Sequence, residues 1–171
     1  MFVPKNFTPK NLEKDKYTAR KLCARDVYLD FFAVMSSIDI IHQTRGGKWP
    51  TPDLTIEEDL IDLSWHQREF EFKTSFAFTI MNKDESERLG CIYFYPPKAG
   101  MSSAKSEEGY EVNVSWWITQ NFYDQGVYDQ LCWDIRSWIE KDWPFNKVFF
   151  SNKQLPDGFN NELVKCPVTD S

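Results

Sequence analysis

The sequence predicts one α/β domain, and three observations carry that prediction. A length of 171 residues matches a single domain. A hydrophobic content of 42%, with 14 Phe, 7 Tyr and 7 Trp, supplies a core without disulfides or structural metal and excludes extensive disorder. The hydrophobic period also changes along the chain, in the order strand, two helices, three strands, helix, strand, with no internal repeat.

Each element has a local reason. Residues 1–15 are polar and basic, contain Pro4 and Pro9, and read as a leading arm. Residues 16–24 alternate around Tyr17, Ala19 and Leu22, as a first strand does. From Asp26 the apolar residues Val27, Phe31, Val34 and Ile38 recur at helical steps, and Gly46-Gly47 ends that run. Trp49-Pro50-Thr51-Pro52 is a stiff turn. Thr55 and Glu58 form a capping-box pattern that opens a second helix striped by Ile56, Leu60, Leu63 and Phe70.

Residues 74–81 then place Phe76, Phe78 and Ile80 on one face of a strand. Residues 89–95 are apolar on both faces, as in a central strand, and stop at Pro96-Pro97. A polar loop spans residues 98–109, and residues 111–119 alternate again, with Val112, Val114, Trp116 and Ile118 on one side. A third helix runs from Gly126 to Asp142 on Val127, Leu131, Ile135 and Trp138, and Pro144 stops it. Residues 147–151 form a last strand; residues 152–171 show no period and read as an irregular tail.

Composition narrows the function classes. Twenty Lys and Arg against 26 Asp and Glu leave a net charge of −6, which gathers no phosphate backbones and argues against nucleic acid as a partner. No apolar run is long enough to span a membrane, and the first residues lack a signal-peptide core, so a cytoplasmic location is expected. Cys23, Cys91, Cys132 and Cys166 are scattered and read as reduced thiols, with no metal site implied. No Walker loop, H-E-x-x-H or dinucleotide-type glycine turn is present.

Several local strings, RKLCARD, LSWHQREFEFKTSFAFTIM and above all WWITQNFYDQGVYDQL, resemble the acetyl-CoA-dependent N-acetyltransferase superfamily (GNAT) over residues 15–151. The resemblance implies a mixed, mainly antiparallel sheet flanked by helices, with the C-terminal elements shortened, since the family continues with a helix and two strands. It implies acetyl-CoA as donor and an amine of a small molecule or peptide as acceptor, bound between variable loops at residues 43–54 and 96–110. A catalytically inactive ligand-binding or protein-interaction module is the competing expectation. The final strand's edge needs cover, from the tail or from a second copy in a homodimer.

In the family a loop of pattern R/Q-x-x-G-x-G/A wraps the donor's pyrophosphate at a helix start. With Ile118 on the family's strand-end residue, Tyr123 falls on the Arg/Gln position, Gly126 on the first glycine and Tyr128 on the small residue. By resemblance the backbone of Trp117, Ile118 and Thr119 receives the donor's pantetheine arm, and Tyr123, Gly126, Val127 and Tyr128 form the phosphate loop. Only Gly126 keeps the pattern. Tyr128 places a ring where the family has a small residue, and Asp124 sets a negative charge beside the anion site.

Glu111, early on the same strand, takes the place of a general base in this reading and otherwise is a solvated carboxylate. His42 and His66 are candidates for acid–base work by residue type; His42 also suits a helix end. Trp116, Trp117, Tyr93 and Tyr95 line a ligand groove or belong to the core.

Overall fold

The computed structural model describes residues 2–97 and 108–165. A short strand β1 (Leu12–Glu13) lies antiparallel to β2 (Tyr17–Lys21). A 3-10 turn at Ala24–Asp26 leads into α1 (Val27–Met35), which is followed by α2 (Ile38–Thr44). The single helix expected from Asp26 is thus two. Ser36 Oγ donates to the Ala33 carbonyl (3.1 Å), the kind of local bond that competes with helix continuation.

Helix α3 (Ile56–Phe72) opens with the expected capping box: Glu58 N donates to Thr55 Oγ1 (3.2 Å) and Thr55 N to Glu58 Oε2 (2.9 Å). Its buried stripe is Asp59, Leu63 and His66, while Leu60 is left outside, because α3 packs onto a polar cluster rather than a purely apolar one. There Arg88 and Asp30 form a buried ion pair at 2.6 Å, and Asp59 lies against Asp30.

The sheet continues with β3 (Phe76–Asn82), β4 (Arg88–Tyr95) and β5 (Val112–Ile118). A short helix α4 (Gln120–Asp124) and the long α5 (Tyr128–Asp142) follow, then β6 (Lys147–Phe150) and β7 (Glu162–Val164). Strand order is sequential from β1 to β7. Every neighbouring pair is antiparallel except β5 and β6, which α5 joins as a crossover. The sheet is therefore mixed and mainly antiparallel.

Alternation sorts the two faces as the sequence predicts. Phe76, Phe78, Ile80, Phe94, Val114, Trp116 and Ile118 pack under α5, against Leu131, Ile135 and Trp138. Ala77, Cys91, Tyr93 and Trp117 form the other layer with residues of α1 and α3. The β4–β5 approach is close at Gly90, where an added Cβ would lie 2.1 Å from the Trp117 carbonyl oxygen.

The chain ends differ from the sequence reading. Val3 and Leu12 of the expected arm are buried in the main core. In the expected tail, Phe159 and Leu163 are core residues, and β7 pairs with β6, so the chain covers that edge itself. Single apolar anchors spaced along irregular backbone leave no period to detect. Cys23, Cys91 and Cys132 are free thiols, while Cys166 and residues 98–107 of the polar loop lie outside the described residues. Among the described residues no helix is long and apolar enough to cross a membrane, and no His, Cys, Asp and Glu cluster has metal-binding geometry.

Candidate functional site

The site is built where β5 and β6 part. Their register runs Val112↔Val148, Asn113↔Phe149 and Val114↔Phe150. The last backbone bond is Ser151 N to the Val114 carbonyl (3.0 Å). Beyond it β5 continues to Ile118, while the segment after β6 leaves the sheet, which opens a notch between them.

The chain's own side chains fill that notch. Trp116 N donates to Asn152 Oδ1 (2.9 Å), and Asn152 Nδ2 donates to the Trp116 carbonyl (3.0 Å), so one carboxamide completes both backbone groups of Trp116 as a neighbouring strand would. Asn152 Nδ2 also reaches the Tyr128 hydroxyl (2.9 Å), which in turn donates to the Gln154 carbonyl (2.8 Å). Tyr128 is buried, 3% exposed, and burial pushes its hydroxyl well above the ordinary tyrosine range. The strap then joins α2: Lys153 N donates to the Arg45 carbonyl (3.3 Å) and Gln154 N to that of Thr44 (3.0 Å).

The sequence candidates fall around this notch in different ways. Thr119 N donates to the Leu89 carbonyl (2.8 Å), toward β4 and away from the notch, and its hydroxyl caps α4. Trp117 is on the same β4-facing phase, with its indole Nε1 donating to Tyr93 Oη (3.0 Å) on the α3 side of the sheet. Strand alternation leaves Ile118, in phase with Trp116, facing the notch. The Tyr123 hydroxyl accepts from Gln154 Nε2 (2.8 Å). Gly126 turns the chain at φ +72°, and Val127 precedes α5 with no side-chain cap. Residues 119–135 contain no Lys or Arg, and Asp124 and Asp129 flank the turn.

Glu111 is not part of this constellation. It precedes the first residue of β5, roughly 20 Å along the strand from Ile118 at about 3.3 Å per residue. Its carboxylate accepts from Asn146 N (2.6 Å) and from Asn146 Nδ2 (3.4 Å), which ties down the loop before β6. It lines an 820 Å³ groove walled by Phe2, Phe72, Pro97 and Phe145, remote from the parting strands. His42 Nε2 donates to the carbonyls of Lys48 (3.1 Å) and Pro50 (2.9 Å), and so shapes the loop after α2.

That loop builds a cavity which sequence patterns do not reveal. About 410 Å³ in volume, it lies on the α3 side of the sheet over the branch of β5 and β6, lined by residues 45–49, Tyr95, Asn113, Ser115 and Ser151. Arg45 spans it: the guanidinium lies 4.6 Å from the Tyr93 ring centroid and 5.9 Å from that of Trp49, and Nε donates to Ser115 Oγ (3.3 Å). An adjoining recess of about 230 Å³ adds Asp62 and His66, whose ring packs 5.3 Å from Tyr93 and whose Nε2 is 3.4 Å from Asp62 Oδ2. Tyr93 and Tyr95 are therefore both core and cavity wall. The expected acceptor loop at residues 43–54 supplies part of this lining; most of the other expected loop, 96–110, lies outside the described residues.

Comparison with known proteins agrees at the level of fold. The chain is similar to the ribosomal L7/L12 alpha-N-protein acetyltransferase RimL in complex with coenzyme A, with a TM-score of 0.61 and 13% identity over 82% of this chain and 73% of that one. It is also similar to the ribosomal-protein-S5-alanine acetyltransferase of Vibrio fischeri, with a TM-score of 0.62 and 12% identity over 83% of this chain and 73% of that one. The microcin C7 self-immunity acetyltransferase MccE, in complex with acetyl-CoA and AMP, matches with a TM-score of 0.59 and 10% identity over 80% and 69%. No family model and no curated protein matches the sequence. The architecture is thus the GNAT fold, as the sequence resemblance implies.

The notch does not fit the arm of coenzyme A as it stands. Trp116 has both polar backbone groups occupied, the buried Tyr128 hydroxyl ties the occupying Asn152 to the Gln154 carbonyl, and the turn before α5 offers acids rather than cations to a pyrophosphate.

Proposed function

We propose that this chain is a GNAT-fold ligand-binding module, taking a small molecule in the cavity beside Arg45 while its own strap closes the notch between β5 and β6. One observation carries the reading: the Asn152 carboxamide stands where an incoming amide would have to pair with Trp116. A buried polar network that is fully satisfied is costly to open, because each displaced group must find a new partner. The test is a thermal shift with coenzyme A and acetyl-CoA up to millimolar concentration. The expected result is no shift. A ligand at about 100 times its Kd adds about 2.7 kcal/mol of stability, so saturable stabilisation by either compound overturns the closed-notch reading.

A second reading is favoured by the parting of the parallel strands and by the neighbours crystallised with coenzyme A or acetyl-CoA. It makes the chain an acetyl-CoA-dependent N-acetyltransferase acting on an amine of a small molecule or peptide. The donor would then have to displace Asn152 and Tyr128, and the backbone of Ile118, the residue whose strand phase faces the notch, would receive its arm. A glycine in place of Asn152, combined with alanine in place of Tyr128, distinguishes the two. Coenzyme A binding that appears only in the double variant supports self-closure; binding in the native chain supports the transferase.

A further inference from the structure

We propose that the cavity over the β5–β6 branch binds a small flat molecule bearing an oxyanion, a carboxylate or a phosphate, with Arg45 as its anchor; this rests on the ligand-binding reading above. On a chain of net charge −6, the 410 Å³ cavity is lined by two cations, Arg45 and Lys48, and by no acid. Among the described residues Arg45 has no ion-pair partner, although Asp62 lies across the adjoining recess, beside His66. The arginine is held by its Nε bond to Ser115 and by the Tyr93 ring, so the outer edge of the guanidinium is pre-oriented for a two-point contact with an oxyanion.

Two further features define the rest of the ligand. Asn113 is 4% exposed, yet its Oδ1 has no hydrogen-bond partner, and its side chain lines the same cavity. A buried acceptor without a donor calls for an N–H or O–H from the occupant. Trp49 and Tyr95 provide aromatic walls, which suit a flat unsaturated body. The volume falls within the range of small-molecule sites. The occupant is therefore an oxyanion at one end with a flat body carrying a hydrogen-bond donor, and its class follows from the charge of Arg45 and Lys48 and the placement of Asn113, Trp49 and Tyr95.

Isothermal titration of the full chain with 4-hydroxybenzoate, phenyl phosphate, benzamide and benzylamine tests this. At least one of the two oxyanions is expected to bind at least tenfold more tightly than the amide and the amine, and to weaken as salt is raised. Which of the two binds identifies the head group. Arg45→Met should reduce that affinity at least tenfold, with Lys48→Gln, a change at an exposed side chain, reducing it about threefold in case the arginine variant is unstable. Benzamide or benzylamine binding as tightly as the oxyanions, or oxyanion binding indifferent to both substitutions, overturns the oxyanion class and leaves the cavity's ligand role standing. Binding of none of the four overturns both.

Discussion

Replacing Asn152 with alanine removes the contact on which the closed notch depends. Three hydrogen bonds go at once: two to the Trp116 backbone and one to the Tyr128 hydroxyl. Trp116 is fully buried at 0% exposure, so its N–H and C=O lose partners where bulk water does not reach. An unmade buried bond costs about 1–3 kcal/mol. The space vacated by a carboxamide is polar and large enough for one water, which recovers part of the loss. The expected destabilisation is about 2–4 kcal/mol, or a fall in Tm of roughly 5–15 °C for a chain of this size. Urea unfolding followed by tryptophan fluorescence measures it.

Asn152→Asp sharpens the same experiment. The carboxylate still accepts from Trp116 N but faces the Trp116 carbonyl with no donor, so the variant should be unstable at neutral pH and recover stability as the aspartate is protonated. A loss below about 1 kcal/mol in the alanine variant refutes the argument, because the carboxamide would then not be what closes the sheet.

Other perturbations probe the frame around the site. Both Asp59 oxygens are buried without a donor, and burial together with the charge of Asp30 pushes its carboxyl up to about 8. The folded state then keeps a proton that the unfolded chain releases near pH 4, so this group's contribution to stability falls as pH rises from about 4 through 8, at up to about 1.4 kcal/mol per pH unit. Asp59→Asn should flatten the urea midpoint between pH 5.5 and 7.5; an unchanged slope counts against a protonated Asp59. Gly90→Ala drives a Cβ against the Trp117 carbonyl oxygen and should cost about 3 kcal/mol or more, read by circular dichroism melting. Thr55→Ala removes half of the α3 capping box and should cost about 1 kcal/mol in the same measurement.

Much of the frame was legible because its causes are local. The capping box at Thr55 and Glu58 involves residues three apart, and the faces of β3 and β5 follow from a period of two. The α1–α2 break leaves no periodic signal, because apolar residues keep helical spacing across Ser36 and Ser37. What uses the break is distant: Ser37 Oγ accepts from Gln120 N (3.0 Å), 83 residues away. Leu60 has the spacing of the buried stripe but lies outside it, because α3 turns Asp59 inward to Asp30, a pairing of acids that hydrophobic spacing does not register. Of the site, Tyr123, Gly126 and Tyr128 could be located by aligning one strand end. The ring at Tyr128 signalled a crowded notch, but its partner at residue 152 lay in a stretch without any period.

The amino-acid sequence alone determined the order of the main strands and helices, the alternating faces of β3 and β5, and the departure of the turn before α5 from the family's phosphate-binding pattern. These depend on neighbours within a few residues, where sterics and hydrophobic period act directly. The tertiary structure alone decided that Asn152 closes on Trp116, that the tail covers the edge of β6, and that Arg45, Asn113 and Ser115 meet around one cavity. The tail pairs with β6 across 13 to 17 positions, Asn152 meets Trp116 across 36 and Arg45 meets Ser115 across 70, and only the packing of the whole sheet against its helices brings them within reach.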